Sequence, residues 1–530
     1  MDIDIPIPEP TRPKLSTLCT PEQSACIDFI HQQRDHLVID SVAGSGKSFT
    51  LVEMCVAINH YFPFASIALV MYNSKNVPEM KARIAKRGAL KVSVGTVHSF
   101  GFAAYKEQHG FCEPNRNKAD DVANRLNKQF KFRYEDVGAV CRMVSLAKDT
   151  GVFAPFRSDW EAIIENFEVS FKQEDLSLDR IIDFASRVFD ETINDTSSVD
   201  FSDMIALPLY HSYPFRQYDF VLVDEAQDIN RCRLLAIIQM LKSVSLTDAA
   251  DEASNGLPDR RGRLIAVGDA FQSIYAFTGA DAQSIQNIQR HFSATQLSLT
   301  TCFRCDKSII RHVNHLVPHI RPRSDAGEGR VASLPYDKFE ELLFEGPPED
   351  LQSHAILCRK NAPLMSLAFR LSANGIRCRM EGRDIGRMLV GFARRFKATS
   401  PGELGIMLGQ HLSEQSSKLT PYALDTLRDK IDCLTTGLLY STSLDKLYSY
   451  ITSIFSDSTS NHTSTLTLSS IHKAKGLEWP TVYILGENLW MPSPLAKTPT
   501  AIQQEKNLIY VARTRAMHAL ISVTMEDPKK

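Results

Sequence analysis

Short apolar runs recur along the chain, and polar residues follow each of them directly. The runs in the amino-terminal half cover residues 37–39, 66–70, 92–95, 218–223 and 263–267. Those in the carboxyl-terminal half cover residues 354–358, 466–469, 481–485 and 519–523. Apolar runs of this length are typical of buried parallel strands. Because open parallel sheets bind ligands at the carboxyl ends of their strands, the polar residues after each run are the candidate functional residues.

Two longer stretches, residues 102–199 and 380–460, are mainly polar and have helical spacing. We expect both to be helical insertions into sheet domains, since 530 residues are too many for a single core. The prediction is an α/β protein with two parallel-sheet domains, each carrying a mainly helical insertion. Its predicted parts are a first sheet domain at 1–101 and 200–297, an insertion at 102–199, a second sheet domain at 298–379 and 461–530, and a reduced insertion at 380–460.

Composition adds little to this picture. The formal net charge is −2, and 43% hydrophobic with 23% charged residues is ordinary for a soluble globular protein. Eleven cysteines in a chain of this length suit a reducing compartment, and no zinc ligands stand near the pair Cys302 and Cys305. Because neither a signal peptide nor a membrane-spanning run is recognisable, we expect a cytoplasmic protein without a membrane partner.

The segment SVAGSGKS, residues 41–48, lies between a predicted strand and a predicted helix, as a phosphate-binding loop requires. Its glycines let backbone N–H groups turn toward phosphate oxygens. The lysine can reach the β- and γ-phosphates, and the serine after it can bind Mg²⁺. Ser41 stands where such loops usually have glycine. The residues predicted to bind the nucleotide here are Ala43, Gly44, Ser45, Gly46, Lys47 and Ser48.

Two carboxylates, Asp224 and Glu225, follow the run at 218–223. Paired buried acids are unfavourable unless a cation compensates their charge. A magnesium nucleotide supplies that charge: Asp224 would hold the metal through water, and Glu225 would orient and deprotonate the attacking water. A solvent-exposed acidic turn is the alternative, and the phosphate loop upstream argues against it.

Other strand ends carry residues suited to bases or phosphates. Tyr72 could stack on a base while Lys75 and the basic helix after it hold a backbone phosphate. His98 is as well explained as an ordinary loop histidine. Gln272 could sense a γ-phosphate, and Phe277 could either stack on a base or pack in the core.

Four more positions are ambiguous on local sequence alone. Gln23 fits a helix-capping box, but its amide could also read an adenine edge. Phe303, next to Arg304, could lie against an adenine. Arg515 or its neighbour Arg513 could act as an arginine finger, although solvated surface arginines are the commoner case.

Seven segments occur in a specific order along the chain: SVAGSGKS, VGTVHSFG, FSDM, VLVDEAQD, GDAFQSIYAFTGAD, SSIHKAKGLEWP and YVARTRA. A Phe-Arg turn lies between the fifth and the sixth of them. This series resembles the UvrD-like branch of superfamily 1 DNA helicases over roughly residues 18–523, apart from the two insertions, which are short for that family. The resemblance implies two RecA-like motor domains of the P-loop NTPase class, with ATP and Mg²⁺ in the cleft between them.

The resemblance also implies roles for individual residues. The residues implied to act in ATP hydrolysis are Lys47, Asp224, Glu225, Gln272, Arg304 and Arg515. The further nucleotide contacts are Gln23, Phe303, Gly476 and Glu478, and the metal ligands are Ser48 and Asp224. Single-stranded DNA would be contacted by Tyr72, Thr96, His98, Phe277 and His472, with Lys75 beside them.

The predicted function is ATP-driven 3′→5′ movement on single-stranded DNA or at a junction with duplex, in repair, recombination or replication. The site of action would then be the nucleoid or the nucleus. Since the insertions are short, we expect ATPase and translocation more firmly than unwinding by this chain alone. One alternative is a DNA-stimulated ATPase subunit of a defence complex with a partner such as a nuclease. Another is an ATPase that binds no nucleic acid, and RNA stays open as a track.

Overall fold

The computed structural model describes residues 19–89, 91–167, 169–173, 176–243, 262–274, 283–346, 348, 350–417, 419, 421–455 and 465–526. The chain divides into two compact units, Met1–Thr300 and Thr301–Lys530. Among the described residues, no helix is both long and apolar enough to cross a membrane. All eleven cysteines are free thiols.

The first unit is built on a parallel sheet. Its described strands are β1 (Leu37–Ser41), β2 (Ile67–Met71), β3 (Val92–Thr96), β4 (Phe220–Val223), β5 (Arg263–Gly268) and β6 (Thr295–Leu299). They pair in the order β3-β2-β4-β5-β1-β6, and every pair is parallel. This order places β5 between the strand that leads into the phosphate loop and the strand that leads into the acid pair.

Helices cover both faces of this sheet. Those described are α1 (Pro21–Gln32), α2 (Lys47–Tyr61), α3 (Val77–Lys86), α4 (Val97–His109), α5 (Lys118–Phe130), α6 (Tyr134–Asp149), α7 (Arg157–Asn166), α8 (Leu178–Asn194), α9 (Asp203–Tyr210), α10 (Arg231–Met240) and α11 (Ser284–Phe292). The helices α1, α2 and α3 share one hydrophobic core with the sheet. On its other face, α10 and α11 pack together with parts of α4 and α9.

The helices α5 to α8 form a further core together with residues of α4 and α9, and Trp160 and Phe184 are fully buried in it. A buried ion cluster ties these helices to α9. The ammonium groups of Lys118 and Lys148 donate to the carboxylate of Asp203 at 2.7 and 2.6 Å, and all three side chains are at most 2% exposed. Since α4 runs across residue 101, the domain boundary there stays a prediction.

The chain leaves the first sheet through α4 and returns to it through α9, and these two helices touch. A Cβ atom on Gly101 would lie only 2.3 Å from the carbonyl oxygen of Met204. Only glycine therefore allows this backbone approach.

The second unit repeats the parallel design. Its described strands are β7 (Thr301–Cys302), β8 (Arg321–Pro322), β9 (Arg330–Pro335), β10 (His354–Cys358), β11 (Cys378–Met380), β12 (Leu466–Ser470), β13 (Trp479–Leu485) and β14 (Ala516–Thr524). Six of these described strands form a parallel sheet in the order β11-β12-β10-β13-β14-β9, and β7 pairs with β8.

The helices of the second unit pack on that sheet. Those described are α12 (Lys307–Val313), α13 (Tyr336–Phe344), α14 (Asn361–Ala373), α15 (Arg383–Arg394), α16 (Pro401–Gln415), α17 (Pro421–Leu439), α18 (Leu444–Ile454), α19 (Ile471–Ala474), α20 (Glu487–Trp490) and α21 (Pro499–Arg513). Residues of α15 to α18, from the stretch predicted to be a second insertion, share one core with the sheet.

Candidate active site and nucleic-acid surface

The phosphate loop has the geometry of an anion site. Gly44 and Gly46 have φ of 67° and 79°, which glycine adopts without strain. The hydroxyl of Ser45 is buried and has no hydrogen-bond partner in the described structure. Because buried polar atoms normally have partners, this orphan fits a site for an oxygen-rich ligand. The helix α2 begins at Lys47, so its amino terminus adds a favourable field for phosphate.

Gln23 lies against this loop. Its amide nitrogen donates to the carbonyl of Ser45 at 3.4 Å, and the side chain is 2% exposed. The capping box is also present, since Gln23 and Thr20 exchange hydrogen bonds at the start of α1. The structure thus contains the helix cap and places the same amide at the phosphate loop.

The acid pair lies at the carboxyl end of β4. Asp224 is 5% exposed, and burial together with the charge of Glu225 raises its pKa to about 7, while Lys47 opposes the shift. A carboxylate in such a position is suited to a bound cation. Glu225 itself has φ of 52°, a left-handed conformation that strains a residue with a side chain.

A hydrogen-bond network joins the acid pair to the end of β5. The amide nitrogen of Gln227 donates to the carboxylate of Glu225 at 2.5 Å, and its oxygen accepts from the backbone N–H of Asp269 at 2.9 Å. The carboxylate of Asp269 in turn accepts from the side chain of Gln272 at 2.8 Å. Burial raises the pKa of Asp269 to about 6. The sequence prediction did not include Gln227 and Asp269 as candidate site residues, although both stand inside the motifs that carried the resemblance.

Predicted DNA contacts lie at the ends of β2 and β3. The rings of His98 and Phe201 are stacked, with centroids 3.9 Å apart and planes at 21°. Phe201 is 61% exposed. Burial and the charge of Arg233 lower the pKa of His98 to about 3, so the imidazole is neutral near pH 7. The Arg233 guanidinium also lies over the ring of Tyr72, 5.1 Å from its centroid.

Sequence reasoning missed both Phe201 and Arg233 as candidates for DNA binding. The signal for Phe201 was its place in the segment FSDM, whereas nothing in the local pattern marks Arg233. Thr96 caps α4 by accepting from the N–H of Ser99 at 3.2 Å, so it has a structural role whatever else it contacts. Lys75 is exposed. Phe277 lies outside the described residues.

In the second unit, several predicted nucleotide contacts are neighbours. Arg304 donates to the carboxylate of Glu478 at 2.5 Å and to the carbonyl of Thr514 at 3.1 Å. Phe303, beside it, is 36% exposed. Arg515 is 1% exposed and donates to the carbonyls of Val511 and Leu477.

The two candidate finger arginines differ in their partners. Arg513 is paired with Glu487 at 2.9 Å, whereas Arg515 donates to the backbone carbonyls of Val511 and Leu477. Gly476 has φ of 91°, a left-handed turn just before Glu478. Burial, followed by the charges of Arg359, Lys473 and Lys475, lowers the pKa of His472 to about 3.

Comparison with known families decides the classification. The model of the UvrD/REP helicase N-terminal domain matches residues 19–293, which is more than half of the chain, and that of the UvrD-like helicase C-terminal domain matches residues 413–527. The chain belongs to the UvrD/REP helicase family. The predicted family is therefore confirmed, and with it the P-loop NTPase fold with parallel sheets.

Similar proteins of this family occur in fungi and bacteria. F-box DNA helicase protein 1 of Schizosaccharomyces pombe is 23% identical over 98% of this chain and 58% of its own length. ATP-dependent DNA helicase UvrD1 of Mycobacterium tuberculosis is 25% identical over 72% of this chain and 52% of its own. DNA helicase II of Haemophilus influenzae is 24% identical over 67% and 50%. The chain thus spans about half the length of the curated relatives it matches.

Proposed function

We propose that this UvrD/REP family member is an ATP-hydrolysing motor that moves 3′→5′ along single-stranded DNA and opens duplex at junctions, in repair, recombination or replication. One observation carries the proposal. The carboxyl edge of the first sheet holds both an ATPase-like constellation, at the ends of β1, β4 and β5, and a partly exposed aromatic stack, at the end of β3. A nucleotide site and a base-stacking surface on one rigid sheet provide a direct route for coupling.

In the first unit, the loop N–H groups, the Ser45 hydroxyl and Lys47 bind the phosphates of ATP. Ser48 and Asp224 would hold Mg²⁺, which neutralises phosphate charge when bound. Glu225, held by Gln227, orients the attacking water and accepts its proton. Gln272, held by Asp269, reports the state of the γ-phosphate.

In the second unit, we assign Arg304, Glu478 and Arg515 to nucleotide binding. Their support is the sequence resemblance together with the hydrogen bonds of Arg304 and Arg515 to Thr514 and of Arg304 to Glu478. Phe303 would stack on the adenine and Gly476 would shape the turn that presents Glu478. Gln23 of the first unit would read the adenine edge.

Single-stranded DNA would lie on the aromatic positions. Stacking on exposed rings tolerates any base and is worth about 1–3 kcal/mol per base, which suits a motor that must move over every sequence. Tyr72 and His98 are the predicted residues here, and Phe201 joins them on its exposure. We also assign to this track Lys75, Thr96, Phe277 and His472.

The central experiment measures ATPase rates with no nucleic acid, single-stranded DNA, duplex DNA and single-stranded RNA. Forked duplexes with only a 3′ or only a 5′ tail give unwinding and polarity. Stimulation by single-stranded DNA with 3′-tail unwinding supports the proposal. Stimulation without unwinding favours the ATPase-subunit alternative, and equal rates in all four conditions contradict a nucleic-acid motor.

Lys47→Ala is the matched negative control. Removal of the ammonium group should lower the ATPase rate at least 100-fold, because the charge that meets the β- and γ-phosphates is lost. Binding of a fluorescent single-stranded oligonucleotide without nucleotide should persist. A Lys47→Ala protein that keeps DNA-stimulated hydrolysis would show that the assigned loop is not the catalytic one.

A further inference from the structure

The side chain of Ser41 makes a contact that the phosphate-loop motif does not require. Ser41 is the last residue of β1, is 1% exposed, and donates its hydroxyl to the carbonyl of Gly268 at 2.7 Å. The ladder between β1 and β5 ends where Asp40 pairs with Gly268. Beyond this point one strand enters the phosphate loop and the other leads to Asp269. The hydroxyl therefore holds the two strands together where their backbones separate.

The peptide bond between Gly268 and Asp269 is held from both sides. Its carbonyl accepts from Ser41, and its N–H donates to Gln227 at 2.9 Å. Gln227 donates in turn to Glu225, the proposed base. A continuous series of hydrogen bonds thus runs from the end of β1 through one peptide group to Glu225.

The side chains of Gln227 and Ile285 pack directly against Gly268. A Cβ atom on Gly268 would lie 2.7 Å from the side-chain oxygen of Gln227 and 2.9 Å from Cδ1 of Ile285. Since both distances are below 3.0 Å, a larger residue at this position would displace the side chains of Gln227 and Ile285. A small rotation of the peptide would consequently move Gln227, and Glu225 with it.

We propose that Ser41 is a positioning residue for ATP hydrolysis. Its hydroxyl fixes the orientation of the Gly268–Asp269 peptide, and this peptide sets the positions of Glu225 and Gln272 relative to the phosphate loop. The inference rests on the proposed ATPase function. It predicts an effect on turnover rather than on affinity, because the hydroxyl is used by Gly268 while the loop N–H groups and Lys47 bind the phosphates.

The test compares Ser41→Ala and Ser41→Cys with the parent protein in steady-state ATPase assays at saturating single-stranded DNA. For Ser41→Ala we expect kcat to fall about 3- to 10-fold, the size of effect that the loss of one ordinary hydrogen bond produces, with KM for ATP within about twofold. Because a thiol is a weak donor, Ser41→Cys should give an intermediate kcat.

Ser66→Ala is the matched control. Its hydroxyl donates to the carboxylate of Asp219 at 2.6 Å, at the amino ends of β2 and β4 in the same sheet. This variant loses a hydroxyl contact of the sheet far along the strands from the phosphate loop, so kcat should equal that of the parent. Thermal melting of all variants shows whether each is folded.

Three results would overturn the assignment of Ser41. The first is a kcat for Ser41→Ala equal to that of the parent. The second is a raised KM with unchanged kcat, which would place the hydroxyl in binding. The third is an equal loss of kcat in Ser66→Ala, which would make the effect one of general stability. A parent protein that does not hydrolyse ATP would instead overturn the proposed function and this inference together.

Discussion

Phe201 is an aromatic residue whose ring is supported on one side and exposed to solvent. It stacks on His98, yet 61% of its surface remains accessible. Stacking of a base on the exposed face of the Phe201 ring would bury apolar surface that is otherwise accessible to water. We therefore expect the exposed face of Phe201 to contact a base when single-stranded DNA is bound.

We expect Phe201→Ala to weaken binding of single-stranded DNA about 5- to 150-fold, the equivalent of 1–3 kcal/mol for one stacked base. Fluorescence anisotropy with a labelled oligonucleotide measures this change. Phe64→Ala is the control, since Phe64 is 92% exposed in the same unit and its ring lies near Lys91. Equal losses of affinity in both variants would rule out a specific role for Phe201.

At the scale of elements, one ion cluster joins helices that are far apart in sequence. Asp203 of α9 pairs with both Lys118 of α5 and Lys148 of α6 in a buried setting, and Asp200 supplies a second carboxylate 3.6 Å from the Lys148 ammonium group. Buried ion pairs are sensitive to the loss of one partner, because the remaining charge has no compensation. The helical region 102–199 is therefore bound to the sheet unit by charge as well as by apolar packing.

Asp203→Asn should destabilise the first unit by about 3–5 kcal/mol, seen as a fall of several degrees in its melting transition. Asp179→Asn removes an aspartate from an exposed pair with Arg157 and should leave melting unchanged. Identical melting of Asp203→Asn and the parent would mean that the cluster contributes no stability.

The predictability of these elements follows from their burial. Each of the nine apolar runs overlaps a strand, because parallel strands covered on both faces are largely apolar. The two-residue strands β7 and β8 were missed. The strands β6, β9 and β11 were missed as well, because they lie at sheet edges and are partly exposed, and so lack a continuous apolar run.

The candidate site was predictable where one motif carries it and not where distant segments meet. Lys47, Asp224 and Gln272 follow from strand-end motifs and the resemblance. The contact of Ser41 with Gly268 joins residues 227 positions apart, and no local pattern encodes it. The stack of His98 on Phe201 likewise exists only once α4 and α9 pack together.

At the scale of the whole chain, each unit contains a histidine that folding keeps neutral. Burial lowers the pKa of His98 and of His472 to about 3, from about 6.5 in an unfolded chain. Below pH 6.5 the unfolded chain takes up protons that the folded one does not. Protonation of these two histidines therefore leaves the free energy of unfolding unchanged above pH 6.5 and lowers it progressively as the pH falls toward 3.

We expect His98→Gln to show a smaller drop in melting temperature between pH 7.5 and pH 5 than the parent, and His98→Gln with His472→Gln a smaller drop still. The comparison is made within each protein, so the direct effect of substitution on stability cancels. An acid-induced drop of the same size in all three proteins would contradict the neutral assignment of these histidines.

The contact of Gly101 with Met204 has a consequence for how this chain can be altered by evolution or by design. Because α4 and α9 touch, the residues between them form a closed loop. The entropic penalty of closing a loop rises only slowly with its length. The intervening module can be trimmed, enlarged or exchanged while β3 and β4 keep their places. A minimal version that joins α4 to α9 directly would need one further change, the neutralisation of Asp203, whose two lysines leave with the module.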